Sequence, residues 1–408
     1  MPRVLMVAYH FPPASGTSGV QRALRFASYL PDFGWEPIVL TATPGVYEHH
    51  NPDLLSEVPR RIPVIRAPAL DTKRHLAIGG RYPGFLARPD RWQSWWLGAV
   101  PAGLRAIRRY KPSVIWSTYP IATAHRIGCT LARLSGLPLV ADFRDPMAQE
   151  GYPADPATWR SFKRIESRTI ACAARSVFTT PGARALYGQR YPAYAGRLEV
   201  IENGYDEGAF EAAAPAAMPL NHGRVTLLHS GVVYASERDP TALFAALAKL
   251  KDAHPAVFER IMIRFRASMA DELLTSLAQR YDVSTAIELL PSLSYRDALG
   301  EMQAADGLLI LQAANCNQQI PAKIYEYLRA RRPLLVLSDP AGDTVGVARN
   351  AGVDKVAPLD DAEAITGLLA EFVSTDDRPL PLDEAVRLAS RYARTQEFAR
   401  LLDSIVLV

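Results

Sequence analysis

Cysteine is scarce: Cys129, Cys172 and Cys316 are the three in 408 residues, too few and too far apart for a disulfide framework. A reducing, cytoplasmic setting is the expectation that follows. Long apolar runs are missing too, and none approaches the ~18 residues that a membrane-spanning helix needs. The opening stretch VLMVAYH runs straight into FPP, without the charged leader, longer apolar core and cleavage site of a secretory signal. Nor does one charge dominate: 46 Lys and Arg against 42 Asp and Glu leave a formal net charge of +4, too mild to imply a nucleic-acid partner. What the chain has is apolar material, 49% hydrophobic against 22% charged. This excludes disorder as the main state and, at roughly 150 residues per domain, points to two or three domains.

The charge is unevenly spread. Residues 60–111 hold twelve Lys or Arg against Asp71 and Asp90, so this stretch is +10 and the remainder −6. Aromatic residues are interleaved, and three of the six tryptophans, Trp92, Trp95 and Trp96, fall within five positions. Two readings stay open. In one, WQSWWLGAVPAGLRAIRRY is a helix with its aromatic face in the core and its arginines in water. In the other, 60–111 meets an anionic membrane surface, or an anionic acceptor, at the inner face of the plasma membrane.

Short β-branched runs alternate with helical stretches along nearly the whole chain: VLMVAY, PIVLT, PVIRA, SVIWST, PLVADF, SVFTT and LEVIEN, then VTLLHSG, IMIRF, IELLPS, GLLILQ, PLLVLS and DKVAP. This is the pattern of an α/β protein with parallel sheets covered on both faces. AAAPAAMPL at 212–220 reads as a linker. The expectation is two doubly wound, Rossmann-like domains, 1–208 and 209–385, facing a cleft. The helical pattern at about 386–408 is expected to return to the first domain.

Ligands of such sheets bind beyond the carboxyl ends of the strands, so four loops carry the chemistry. After the first strand, Gly16 and Gly19 loosen a turn before a helix bearing Arg22, without the G-x-G-x-x-G of a dinucleotide fold. His10 ends that strand. PLVADF runs into Asp142, Arg144 and Asp145, either a buried ion pair or a group that meets a substrate hydroxyl or phosphate. VTLLHSG places Ser230 and Gly231 after a strand and Arg238 before a helix, where backbone N–H groups and a guanidinium suit a diphosphate. PAKIYEYL puts Lys323 and Glu326 one helical turn apart, a cation for phosphate and a carboxylate for a vicinal diol. His125, in IATAHRIG, reads as a packing residue.

Taken together, YHFPPASGTSGVQRALRFASYLPDFGWEPIVLT, DFRDP, ENGYD at 202–206, HSGVVY through Arg238, and PAKIYEYLRARRPLLVL resemble a family 4 glycosyltransferase of the GT-B fold. The resemblance implies an N-terminal acceptor domain and a C-terminal domain for a nucleotide-diphosphate sugar, with no cofactor and no bound metal. It implies hexosyl transfer to an acceptor hydroxyl with retention, the departing phosphate taking the acceptor's proton. Glu326 would hold the ribose. Arg238 and Lys323 would neutralise the diphosphate. Pro291 and Leu293 would meet the nucleobase, and Ser230, Gly231, Pro321, Gly16 and Gly19 would complete the donor contacts. His10 and Arg22 would lie on the acceptor side, with Asp142, Arg144 and Asp145 orienting the reactants. The acceptor would be a glycan, a lipid-linked saccharide or a small molecule.

Three positions depart from the family pattern. Gln318 stands where a second glutamate is common, Arg144 where a histidine is common, and Val232 where an arginine follows the glycine. A nucleotide-sugar epimerase of the same architecture and a catalytically silent nucleotide-sugar binder are the rival readings.

Overall fold

The computed structural model describes residues 1–16, 19–214, 219–376 and 378–406. By its internal contacts the chain divides into two compact units, residues 1–202 with 391–408, and residues 203–390.

Unit 1 runs β1 (Arg3–Val7), α1 (Gly19–Tyr29), β2 (Glu36–Ala42), β3 (Val64–Ala67), α2 (Thr72–His75), α3 (Trp95–Tyr110), β4 (Val114–Thr118) and α4 (Ala122–Ser135). It continues through β5 (Leu139–Arg144), α5 (Pro156–Cys172), β6 (Arg175–Phe178), α6 (Pro181–Arg190) and β7 (Leu198–Val200). Unit 2 holds α7 (Glu207–Ala212), β8 (Val225–Ser230), α8 (Thr241–Ala253), α9 (Pro255–Arg260), β9 (Ile261–Arg266), α10 (Asp271–Arg280), β10 (Ile287–Leu290) and α11 (Tyr295–Ala304). After these come β11 (Gly307–Gln312), α12 (Lys323–Ala330), β12 (Leu334–Ser338), α13 (Asp343–Asn350), β13 (Val356–Ala357), α14 (Ala362–Ser374) and α15 (Asp383–Leu388). The last helix, α16 (Arg391–Val406), belongs to unit 1.

Among the described residues, unit 1 has a seven-stranded sheet in the order β3-β2-β1-β4-β5-β6-β7 and unit 2 a six-stranded sheet in the order β10-β9-β8-β11-β12-β13. Every pairing between these strands is parallel. The central strands are buried on both faces, which is why VLMV in β1 and LLIL in β11 read as unbroken apolar runs. In each sheet the order reverses beside the first strand, at β1/β4 and at β8/β11, and the crevice there is where open α/β sheets take their ligands.

The division between units falls at Asn203, ahead of the expected 208/209 boundary. Tyr205 causes this: its N–H donates to the Ala389 carbonyl at 3.1 Å and its ring lies in the core of unit 2. The expected linker at 212–220 is not the junction either. Ala212 ends α7, Phe210 and Ala213 are buried in unit 2, and residues 215–218 lie outside the described residues.

α16 packs within unit 1. Phe398 stacks on Phe26 with ring centroids 4.7 Å apart, and Trp35 Nε1 donates to Asp403 Oδ1 at 2.9 Å. The aromatic stretch follows the core reading: Trp95 is fully buried, Trp92 and Trp96 pack against the same core, and Arg105, Arg108 and Arg109 on α3 are exposed. No described helix is long and apolar enough to cross a membrane.

Candidate functional site

In unit 2, β8 delivers His229 and Ser230 to a turn at Gly231, whose φ of +110° suits glycine. A Cβ there would sit 3.2 Å from Lys323 Nζ, so the missing side chain leaves room for the ammonium against the backbone. Lys323 opens α12 and donates to His229 Nε2 at 3.0 Å. The other ring nitrogen, Nδ1, lies 2.9 Å from the Leu309 carbonyl. A carbonyl only accepts, so Nδ1 carries the proton and Nε2 receives the lysine. Burial and then the neighbouring Lys323 hold His229 well below its ordinary pKa, and it stays neutral. Burial, with Arg238 second, pushes Lys323 down to about 7 against the pull of Glu326. This lysine is therefore a cation short of a counter-charge.

Arg238 lies over the Tyr234 ring at 5.2 Å and donates through Nη1 to the Val232 carbonyl at 2.7 Å. Its buried Nε has no hydrogen-bond partner among the described residues. Glu326 accepts from the Tyr295 hydroxyl at 2.8 Å, one turn along α12 from Lys323. α12 begins after Ala322 with no side-chain cap, so its first N–H groups add positive potential on the lysine's side.

One expectation needs correction. The Ser230 N–H donates to the Tyr327 hydroxyl at 2.7 Å and the Gly231 N–H to the Arg266 carbonyl at 2.8 Å. Both backbone donors are spent inside the fold, so an anion here would be met by side chains. The Pro291 carbonyl likewise accepts from Arg266 Nη1 at 2.8 Å. Arg266 is fixed by a buried fork onto Glu301, which also takes Arg264, so the Pro291–Leu293 loop is anchored from beneath. Leu293 is exposed, Pro321 is buried, and Gln318 is exposed. A separate concavity in unit 2, about 690 Å³, is lined by Asp239, Asp339 and Asp360 but by none of these site residues, and its acidic rim is unsuited to an anion.

In unit 1, Asp142 and Arg22 are used on each other. Arg22 Nε and Nη2 donate to the two oxygens of the fully buried Asp142 at 2.9 and 3.0 Å, and Thr118 Oγ1 adds a bond at 2.9 Å. Nη2 and Nη1 also donate to the carbonyls of Ile201 and Glu202. Arg22, expected beside an acceptor, instead ties α1 and β5 to the exit of β7, because a buried carboxylate must be paired. Asp142 is a positioning group in the same sense.

Arg144 follows at a bulge in β5 with φ of +61°, a conformation unfavourable for a side-chain-bearing residue. Its carbonyl holds that turn by accepting Thr179 N–H and Oγ1, both at 3.0 Å. The bulge aims a buried guanidinium whose Nε has no hydrogen-bond partner among the described residues, and leaves Asp145 exposed. His10 is half-buried, and among the described residues its Nδ1 has no partner. Burial, and then Arg144, holds it at about 4, so it is neutral at pH 7. Gly16 turns with φ of +77° and Gly19 opens α1, while the two residues between them lie outside the described residues. His125 is fully buried against Ser117 Oγ at 2.8 Å and packs on Phe143, as read from the sequence. His229, Tyr295, Tyr327 and the Arg264–Arg266–Glu301 network were not singled out beforehand. Among them only His229 had a signal, its place in HSG at a strand end.

Residues 18–204 match the family model of the glycosyl transferase 4-like domain. No curated protein matches the chain. Among solved structures, a UDP-forming α,α-trehalose-phosphate synthase from Burkholderia vietnamiensis aligns over 100% of both chains at 14% identity, with a TM-score of 0.66. Anabaena HepE in complex with UDP and glucose covers 99% of this chain and 100% of its own at 13% identity, TM-score 0.60. Sucrose-phosphate synthase from Thermosynechococcus elongatus covers 100% and 97% at 13% identity, TM-score 0.59. At such identities the likeness speaks for the fold, and the domain match speaks for residues 18–204. Residues 18–204 are thus similar to a glycosyl transferase 4-like domain, and the two doubly wound sheets give the whole chain the GT-B fold that these solved structures share.

Proposed function

We propose that this glycosyltransferase moves a hexosyl group from a nucleotide-diphosphate sugar to an acceptor hydroxyl, with retention and without a metal. The observation that carries the reading is Lys323: an ammonium held on a neutral histidine, beside a side-chain-free turn and a second cation, with no carboxylate at ion-pair distance among the described residues. Such a group is completed by an anion. UDP-glucose is the donor to try first, because HepE is described with UDP-glucose. Lys323 and the free edge of Arg238 would take the charge that grows on the diphosphate as the sugar–phosphate bond breaks, the role a metal has elsewhere. A phosphate oxygen would receive the acceptor's proton on the face where the new bond forms. His10, Arg144 and Asp145 of unit 1 would meet the acceptor, a hydroxyl of a glycan, lipid-linked saccharide or small molecule. A role in cell-surface glycan or lipid-linked saccharide synthesis suits the basic 60–111 stretch.

The pH dependence tests the lysine. The ligand prefers the protonated amine, whose pKa in the free protein is about 7. Affinity for UDP should be full below that value and then fall by up to tenfold per pH unit above it, until the raised pKa of the complex is reached. Calorimetric titration between pH 6 and 9 reads this directly, and Lys323→Arg should flatten the slope. A slope surviving in that variant would assign the titration to another group. Chelation should leave the transfer rate unchanged.

Glu326 is assigned to the ribose. Glu326→Ala should weaken UDP by about 10- to 100-fold, as expected for hydrogen bonds to a charged group. It should weaken 2′-deoxy-UDP far less, and equal losses for both nucleotides would remove the assignment.

A further inference from the structure

We infer that unit 1 carries a second anion site, for a phosphate-type group, in a pocket of about 340 Å³ between α4 and α5. None of the site residues described above lines it. Five guanidiniums do: Arg88, Arg126 and Arg133 of α4, and Arg164 and Arg168 of α5. Two turns separate the α4 pair and one turn the α5 pair, so each pair stands on one helix face and the faces oppose each other.

No carboxylate is among the lining residues. Among the described residues, Arg88 alone of the five comes within 4.0 Å of one, Asp155 at 3.8 Å. The other acids nearby are committed elsewhere. Glu166 of α5 is fully buried and receives Lys163, Arg190 and the hydroxyls of Tyr187 and Tyr191. Asp90, the acid beside Arg126, accepts from Thr123 and the Trp92 N–H. Arg126 is further fixed over the Trp96 ring at 4.9 Å.

Like charges one turn apart repel, and a concave wall concentrates their field instead of letting water dissipate it. Other surface patches of this chain interleave acids, as at Lys249–Glu363 or Lys355–Glu371. The pocket does not, and its planar forks match phosphate oxygens two at a time. The group it takes is a phosphate or diphosphate, either free or as the headgroup of an anionic lipid.

The test titrates the full chain with inorganic pyrophosphate in three forms: unaltered, Arg164→Ser/Arg168→Ser, and Lys323→Met. The double variant should lose at least tenfold in affinity at one class of site, while Lys323→Met keeps that class and loses the other. Cosedimentation with phosphatidylglycerol vesicles, against phosphatidylcholine alone, separates the sources. Vesicle binding that the double variant abolishes assigns a lipid headgroup, and pyrophosphate binding without vesicle binding assigns a soluble phosphate. Both substituted arginines are exposed, so the double variant should melt no lower than the unaltered protein, and its UDP affinity should not change. Identical isotherms for it and the unaltered protein in both arms would overturn the site. So would loss of all pyrophosphate binding in Lys323→Met.

Discussion

Lys323→Met will cut the transfer rate by about 10³-fold, the upper end for removing one preorganised charge from a leaving group, and will make the free protein more heat-resistant. The two effects share a cause. An ammonium pushed down to about 7 by burial and by Arg238 is disfavoured in the folded state. Between its ordinary value near 10.5 and about 7 the unfolded chain holds a proton that the folded chain has released, so stability falls as pH drops through that window. Below about 7 the penalty is fully present. Methionine fills a similar volume without the charge. His229 Nε2 then loses its donor, which offsets part of the gain, and a rise of about 2–5 °C in melting temperature at pH 6–7 is expected. Scanning calorimetry beside a UDP-glucose consumption assay reads both effects. If rate and melting temperature fell together, Lys323 would be a structural strut and not a cation poised for a ligand.

Asp142→Leu will lower the melting temperature by about 10 °C, because it leaves Arg22 charged and unpaired in the interior, at a cost of about 3–5 kcal/mol. Arg22 is 6% exposed and Asp142 is inaccessible, so solvent offers neither any relief. Arg22→Met/Asp142→Leu should recover most of the loss, since replacing both partners by apolar side chains of similar volume is often neutral. Melting curves of the two single variants and the double variant form the cycle that measures the coupling. A normal melting temperature with transfer abolished in Asp142→Leu would instead return Asp142 to the acceptor side.

The strands were legible because parallel strands buried on both faces read as largely apolar runs, and every run named in the sequence lies on one of β1 to β13. Lys323 and Glu326 were legible for a related reason: helical spacing alone puts them on one side of α12. The Arg22–Asp142 pair was not, since its members stand 120 positions apart and only the sheet order joins them. Free backbone donors at Ser230 and Gly231 were expected from local sequence. They failed because their partners, Tyr327 and Arg266, come from distant elements. The arginine pocket escaped for the same reason. Its walls come from three segments, two of them outside the basic 60–111 stretch, so no linear count of charge finds it.

The placement of α16 bears on how the protein is made. Unit 2 is one unbroken stretch of chain inserted into unit 1, between Glu202 and Arg391. Until α16 leaves the ribosome, Phe26, Trp35 and Trp116 lack the cover of Phe398 and Leu402. The inserted unit has all its residues before then and can fold first, so the half synthesised first is the last to be finished.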